Sequence, residues 1–276
     1  MSSTLTLLFL GTGTSTGVPL VGCSCAVCRS KDPLNARLRS SILLRTGAAA
    51  LLVDSSPDLR QQALRHGIAS IDAVLYTHGH LDHVSGFDDM RAFGWGKDTR
   101  LPLHAGSGTL HTLKRMYGWA FSPGNTYRGY VRPEPHDHGG RPFVLGDVAV
   151  TPVPVIHARI ETYGYVFAWN GVRIGYICDV KEIPAASLNL LRSLDLLILD
   201  ALRFGKHSTH LSVGESAALM RSLSPRRGLL THMGHEIDYQ KLLSLLPPDI
   251  APAYDGLTLE FQGRPGQPGE NRPPSD

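Results

Sequence analysis

No run of about eighteen apolar residues occurs anywhere in the 276-residue chain, so no segment is expected to cross a membrane as a helix. The start, MSSTLTLLFL, has no basic stretch ahead of its apolar residues, which argues against a secretion signal. No block of Lys or Arg stands out either. The 27 basic residues nearly balance 24 acidic ones, and a net charge of +3 gives no electrostatic footprint for a nucleic-acid polymer. Cysteine is scarce, four in all, and without a secretion signal the expected residence is cytoplasmic, with thiols reduced. No change of composition divides the chain before its end, so residues 1–262 are expected to form one domain. Residues 263–276 (GRPGQPGENRPPSD), rich in Gly and Pro without an apolar anchor, are expected to be a disordered tail.

What the chain does have is THGHLDH at 77–83, which packs His78, His80, Asp82 and His83 into one short segment. Imidazole and carboxylate at that density are ligands for divalent metals. The preceding IDAVLY reads as a short buried strand, so the cluster leaves a strand end on a loop, where side chains can converge. His78 and His80 project alike from an extended segment, whereas Asp82 and His83 fall past a turn, a pattern that suits two metals. Three further strand-like runs end in a suitable ligand: VAVTPVPVIH in His157, RIGYICD in Asp179 and GLLTH in His232. The partition that follows gives His78, His80 and His157 to one metal and Asp82, His83 and His232 to the other. Asp179 bridges them, with the two ions about 3.5–4 Å apart and a shared water acidified toward neutrality. Asp54 also ends an apolar strand and is placed to orient a ligand imidazole or to cap the next segment.

These residues resemble the metallo-β-lactamase superfamily, whose HxHxDH signature is matched in full by His78, His80, Asp82 and His83. The resemblance runs from about Leu5 to Phe261 and implies an α/β fold, a four-layer αββα sandwich of two mixed β-sheets flanked by helices. The pattern of the chain agrees. Strand-like runs occur at 5–10, 41–44, 50–53, 71–76, 101–104 and 148–154, and helix-like runs at 57–66, 108–117, 184–193, 213–222 and 239–246. Asn170-Gly171 between YGYVFAW and VRIGYIC signals a tight hairpin.

A narrower resemblance, to the phosphoribosyl cyclic phosphodiesterase subfamily, is carried by LFLGTGTSTGVP, GCSCAVC and THMGHE. It implies a structural zinc held by Cys23, Cys25, Cys28 and His235, a donor set that would close a tetrahedral site. It also implies two active-site metals, Zn²⁺ or Mn²⁺, and a small phosphorylated substrate such as phosphoribosyl 1,2-cyclic phosphate or a cyclic nucleotide, opened by the metal-bridged hydroxide. A homodimer is the subfamily's tendency. His210, on the loop after the strand-like LDLLILD, is the candidate to protonate the leaving alkoxide or orient phosphate, with Asp179 the other catalytic residue and His207 competing for His210's place.

Several other features carry no assignment. Cys178 reads as a buried thiol, and Lys206, Arg203 and Arg159 read equally well as surface charge. His136 and His138, in a Pro/Gly-rich stretch, read as solvated loop. The GTGTSTGVP segment lacks the GK[ST] of a P-loop and reads as a structural turn. Trp95, Trp119, Tyr127 and Tyr130 suit core or lid packing, or stacking on a base or sugar. Competing functions include tRNA 3′-end processing, yet the basic arm of those enzymes has no room where His157 and Asp179 are separated only by the hairpin. The pyrroloquinoline quinone biosynthesis relative departs from HxHxDH, and lactonases and thioesterases lack the cysteine loop. A silent nucleotide-binding module would be expected to have lost a ligand.

Overall fold

The computed structural model describes residues 4–264. Along the chain the strands of the first half are β1 (Thr4–Gly11), β2 (Ser41–Arg45), β3 (Ala50–Val53), β4 (Ala73–Leu75), β5 (Leu101–Ala105), β6 (Pro133–Asp137) and β7 (Phe143–Leu145). Those of the second half are β8 (Val148–His157), β9 (Ile160–Trp169), β10 (Val172–Ile177), β11 (Leu196–Asp200), β12 (Gly228–Thr231), β13 (Ile250–Pro252) and β14 (Thr258–Gln262). The helices are α1 (Leu59–Arg65), α2 (Leu81–Val84), α3 (Arg91–Gly94), α4 (Ser107–Met116), α5 (Gly118–Phe121), α6 (Ala185–Leu190), α7 (Val213–Leu223) and α8 (Tyr239–Leu245).

Two seven-stranded sheets result, ordered β14-β1-β2-β3-β4-β5-β6 and β13-β12-β11-β10-β9-β8-β7. Both are mixed. Strands β3 to β6 run parallel in one sheet and β10 to β13 in the other, while the remaining pairs are antiparallel. Alternation along each strand decides what faces what. In β1, Leu5, Leu7 and Phe9 point between the sheets to meet Tyr165, Phe167 and Trp169, and Leu10 points outward to Leu59 of α1 and Leu113 of α4. Strand β11 is apolar from Leu196 to Leu199 because both of its faces are covered. Leu196 and Ile198 join the central layer, and Leu197 and Leu199 meet Met220 and Leu223 of α7. This is the four-layer sandwich expected from the sequence. No helix among the described residues is long and apolar enough to span a membrane.

The elements that matter for function all end on one rim. Asp54 follows β3, His78 follows β4, His157 ends β8, Asp179 follows β10, Asp200 ends β11 and His232 follows β12. The β9–β10 hairpin turns on Asn170 and Gly171, at φ 43° and 76°, as a type I′ turn demands.

Three expectations need revision. His136 and His138 do not lie in a solvated loop: His136 is in β6, and His138 is 6% exposed with its Nε2 3.3 Å from Tyr165 Oη. Strand β6 is the edge strand of its sheet, where prolines are tolerated, so its Pro-rich sequence hid it. Asp82 and His83 sit on the single helical turn α2 rather than past a turn in a loop. Of the four unassigned aromatics, Trp119, Tyr127 and Tyr130 pack at the surface, which removes core packing from the three readings above and leaves the other two. The tail expected at 263–276 lies outside the described residues from 265 onward; Arg264 donates its backbone N–H to Asn170 O.

Candidate metal centre

Two groups of donor atoms converge on the rim. In the first, His80 Nδ1 lies 3.0 Å from His78 Nε2 and 3.2 Å from His157 Nε2. In the second, His83 Nε2 lies 3.2 Å from Asp82 Oδ2 and 3.3 Å from Asp179 Oδ1, which is itself 3.3 Å from His232 Nδ1. Nitrogen ligands of a tetrahedral zinc stand about 3.4 Å apart, so both groups have the spacing of a coordination sphere. Asp179 belongs to both. Its Oδ1 faces the second group, and its Oδ2 faces the first, 3.7 Å from His157 Nε2 and 3.9 Å from His78 Nε2.

Hydrogen bonds behind the rings determine which nitrogens are free. The Thr209 carbonyl can only accept, so His157 Nδ1, 2.9 Å away, carries the proton and Nε2 keeps its lone pair. Thr77 Oγ1 donates to Asp54 Oδ2 and therefore accepts from His78 Nδ1 at 2.9 Å. His83 Nδ1 donates to Asp54 Oδ2 at 2.8 Å. Asp54, at the left-handed φ of 62°, thus holds His83 directly and His78 through Thr77. His83 Nε2 and Asp179 Oδ1 are buried with no hydrogen-bond partner. Two orphaned lone pairs aimed at one point are what a bound cation would satisfy.

The electrostatics agree. Burial depresses His78, His80 and His157, and takes His232 down to about 4, which keeps these imidazoles neutral and able to ligate. Burial also opposes charge on His83, but the carboxylates of Asp179, Asp82 and Asp54 outweigh it and hold that ring well above its ordinary value. Among the described residues these three buried carboxylates pair only with imidazoles, never with Lys or Arg. Buried negative charge of this density calls for cations.

His210 leans over the pocket. It stacks on His232 with ring centres 4.9 Å apart and meets His157 edge-on at 4.6 Å. Its Nδ1 donates to Asp200 Oδ2 at 2.8 Å. Burial pushes Asp200 up to about 7 although the His210 contact pulls it down, and His210 is raised by Asp200 against its own burial. His207 has no carboxylate; its Nδ1 bonds Thr209 of its own loop.

The second cluster joins Cys23, Cys25, Cys28 and His235. His235 Nδ1 is 3.4 Å from Cys23 Sγ and 3.6 Å from Cys25 Sγ, and all three thiols are free. The Cys28 N–H and His235 hold Cys25 down to about 6, and burial pushes Cys28 up to about 11. Cys178 is buried away from this group.

Sequence reasoning left Asp200, Thr14 and Ser40 without a role. Asp200 carried the strand-end signal that pointed to Asp54 and Asp179. Thr14, in the glycine-rich segment read mainly as a structural turn, lies 3.3 Å from His232 Nε2, and Ser40 Oγ lies 3.3 Å from Nδ1. Nothing in a lone hydroxyl's surroundings along the chain announces such a contact.

Comparison with known proteins agrees with this geometry. The Beta-lactamase superfamily domain matches residues 50–233. A solved structure described as a new diphosphatase from the PhnP family shares 40% identity and a TM-score of 0.87, covering 94% of this chain and 98% of that one. Coenzyme PQQ synthesis protein B of Methylobacterium nodulans is 37% identical over 70% of this chain and 71% of its own length. An octanoyltransferase of Porphyromonas gingivalis is 37% identical over 91% of this chain, which spans only 50% of that protein. With the sandwich, the two donor groups that share Asp179 and these likenesses together, the chain belongs to the metallo-β-lactamase superfamily of metal-dependent hydrolases, in its PhnP-like group.

Proposed function

We propose that the protein hydrolyses a small phosphodiester, a cyclic phosphate of ribose or a cyclic nucleotide being the best fit, with two divalent cations at the rim and a structural zinc in the cysteine cluster. The observation that carries this reading is Asp179, whose two oxygens face two separate ligand groups. The likeness to a PhnP-family diphosphatase supports attack at phosphorus. The cations would be held by His78, His80 and His157, by Asp82, His83 and His232, and by Asp179 between them. When bound, they supply Lewis-acid charge on phosphate oxygens and a water acidic enough to react near neutrality.

The chain supplies the rest. Asp54 and Thr77 fix the ligand rings, so the ligands need no reorganisation when charge develops. Asp200 anchors His210 by Nδ1, which leaves Nε2 to hand a proton to the departing alkoxide. The His157–Asp179 connection is the β9–β10 hairpin alone, which leaves no arm for a tRNA.

The test is elemental analysis of purified protein followed by turnover of bis-p-nitrophenyl phosphate and ribose cyclic phosphates with Mn²⁺ or Zn²⁺. Turnover that disappears in Asp179→Ala is expected; fully loaded protein inert toward every phosphodiester would end this reading. A second reading, thioester hydrolysis, draws on the relative named for moving an octanoyl group. Octanoyl thioesters in the same assay decide between the two.

A further inference from the structure

A half-open cleft of about 260 Å³ lies beside His80. Its other walls are Gly79, Gly108, Thr109, Thr112, Ile160 and Glu161. Because His80 belongs both to this cleft and to the first ligand group, a molecule bound at the rim has the cleft as the place for its non-reacting part. Missing side chains keep it open. A Cβ on Gly79 would come 3.1 Å from Thr112 Oγ1, and one on Gly108 would come 3.1 Å from Glu161 Oε2.

The polar groups lining the cleft are mostly acceptors. Glu161 Oε2 takes the Gly108 N–H at 2.8 Å, and its Oε1 lies 3.5 Å from Tyr163 Oη, so the carboxylate is anchored with lone pairs to spare. Thr112 Oγ1 donates to Gly108 O at 3.1 Å and so presents its oxygen as an acceptor. Thr109, 2% exposed, has a hydroxyl with no partner. No Lys or Arg lines the cleft, and the Gly108 N–H in the first turn of α4 is already taken by Glu161. Such a lining repels a second phosphate and accepts from hydroxyls.

We infer that the cleft is the subsite for a neutral, hydroxyl-rich alcohol group of the substrate, a sugar ring, with Glu161 accepting from its hydroxyls. The inference rests on the phosphodiester reading above, and any second phosphate of a substrate then lies outside the cleft.

Three esters with the same p-nitrophenol leaving group test it: methyl p-nitrophenyl phosphate, the ribose 5-ester, and the ribose 5-ester carrying a second phosphate on the sugar. In the wild type, kcat/KM is expected to favour the ribose ester over the methyl ester by about tenfold, the worth of a hydrogen bond to a charged acceptor. In Glu161→Gln that ratio shrinks, mainly through KM, and the penalty for the second phosphate shrinks with it. A merely structural role for Glu161 at α4 would change all three esters alike and leave both ratios as they were, which overturns the subsite. If the wild type cleaves the methyl ester but does not prefer ribose, the subsite also fails while the phosphodiesterase stands. If it cleaves none of them, both fall.

Discussion

His210 differs from His207 on the same loop in having a carboxylate of its own. Asp200 raises it above the ordinary histidine value, so its acid form persists to higher pH. If that proton goes to the leaving group, activity falls as pH rises through the raised value. Asp200→Asn keeps the shape of the contact but removes the charge that holds the proton. The falling limb of the kcat profile should therefore move to lower pH in Asp200→Asn at the same metal loading, and a limb that stays in place would remove His210 from that role. At this scale the sequence was most legible where ligands end apolar strands, because a strand end is visible as the point where hydrophobicity stops. Thr14 and Ser40 were not legible, since what makes them matter is the approach of His232 from more than 190 positions away along the chain.

Among the elements, α7 does more than cover the second sheet. Its first turn is a capping box, with Ser212 accepting from the Glu215 N–H and Glu215 bonding back to Ser212. Glu215 also meets Lys181 Nζ at 3.1 Å, and the same ammonium donates to His210 O at 3.3 Å. One helix start thus ties down the loop that carries His210. Ser212→Ala should cost about 1 kcal/mol in denaturant unfolding. It should also lower kcat more than it changes KM, as a loosened His210 requires. Long apolar strands and capped helices could be recognised from period and punctuation, and their observed bounds differ from the expected ones by a few residues. Strands β6 and β7 could not: one is rich in proline and the other is three residues long, and only pairing with neighbours makes them strands.

On the scale of the whole molecule, the cysteine cluster and the metal rim are joined by one short loop, with His232 serving one and His235 the other. The buried Arg37 reaches the Gly234 carbonyl inside that loop. Cys25→Ser is expected to remove about one metal of roughly three per chain, on the ligand counts of closed and dinuclear sites. It should also lower the thermal midpoint and weaken retention of the rim metals, which dialysis against a mild chelator followed by elemental analysis would read. Loss of one metal with unchanged rim affinity would make the cluster an independent staple. The two-sheet architecture was legible through the resemblance carried by His78, His80, Asp82 and His83, and the alternation of strands and helices in each half agreed with it. The three-residue interval between His232 and His235 already placed one residue of each cluster on a single short loop, and the fold gives that loop its direction.

Strand β1 lies between β2 and β14, so its pairing is completed only by a strand made much later. A ribosome therefore releases Thr4–Gly11 with one side bare and holds it so until Thr258–Gln262 has been translated. The ligands emerge on the same schedule, His78 to His83 long before His232. A nascent chain consequently carries an exposed pairing edge and an incomplete set of ligands until β12 and β14 have followed β1, and only then acquires its closure and its capacity to retain metal.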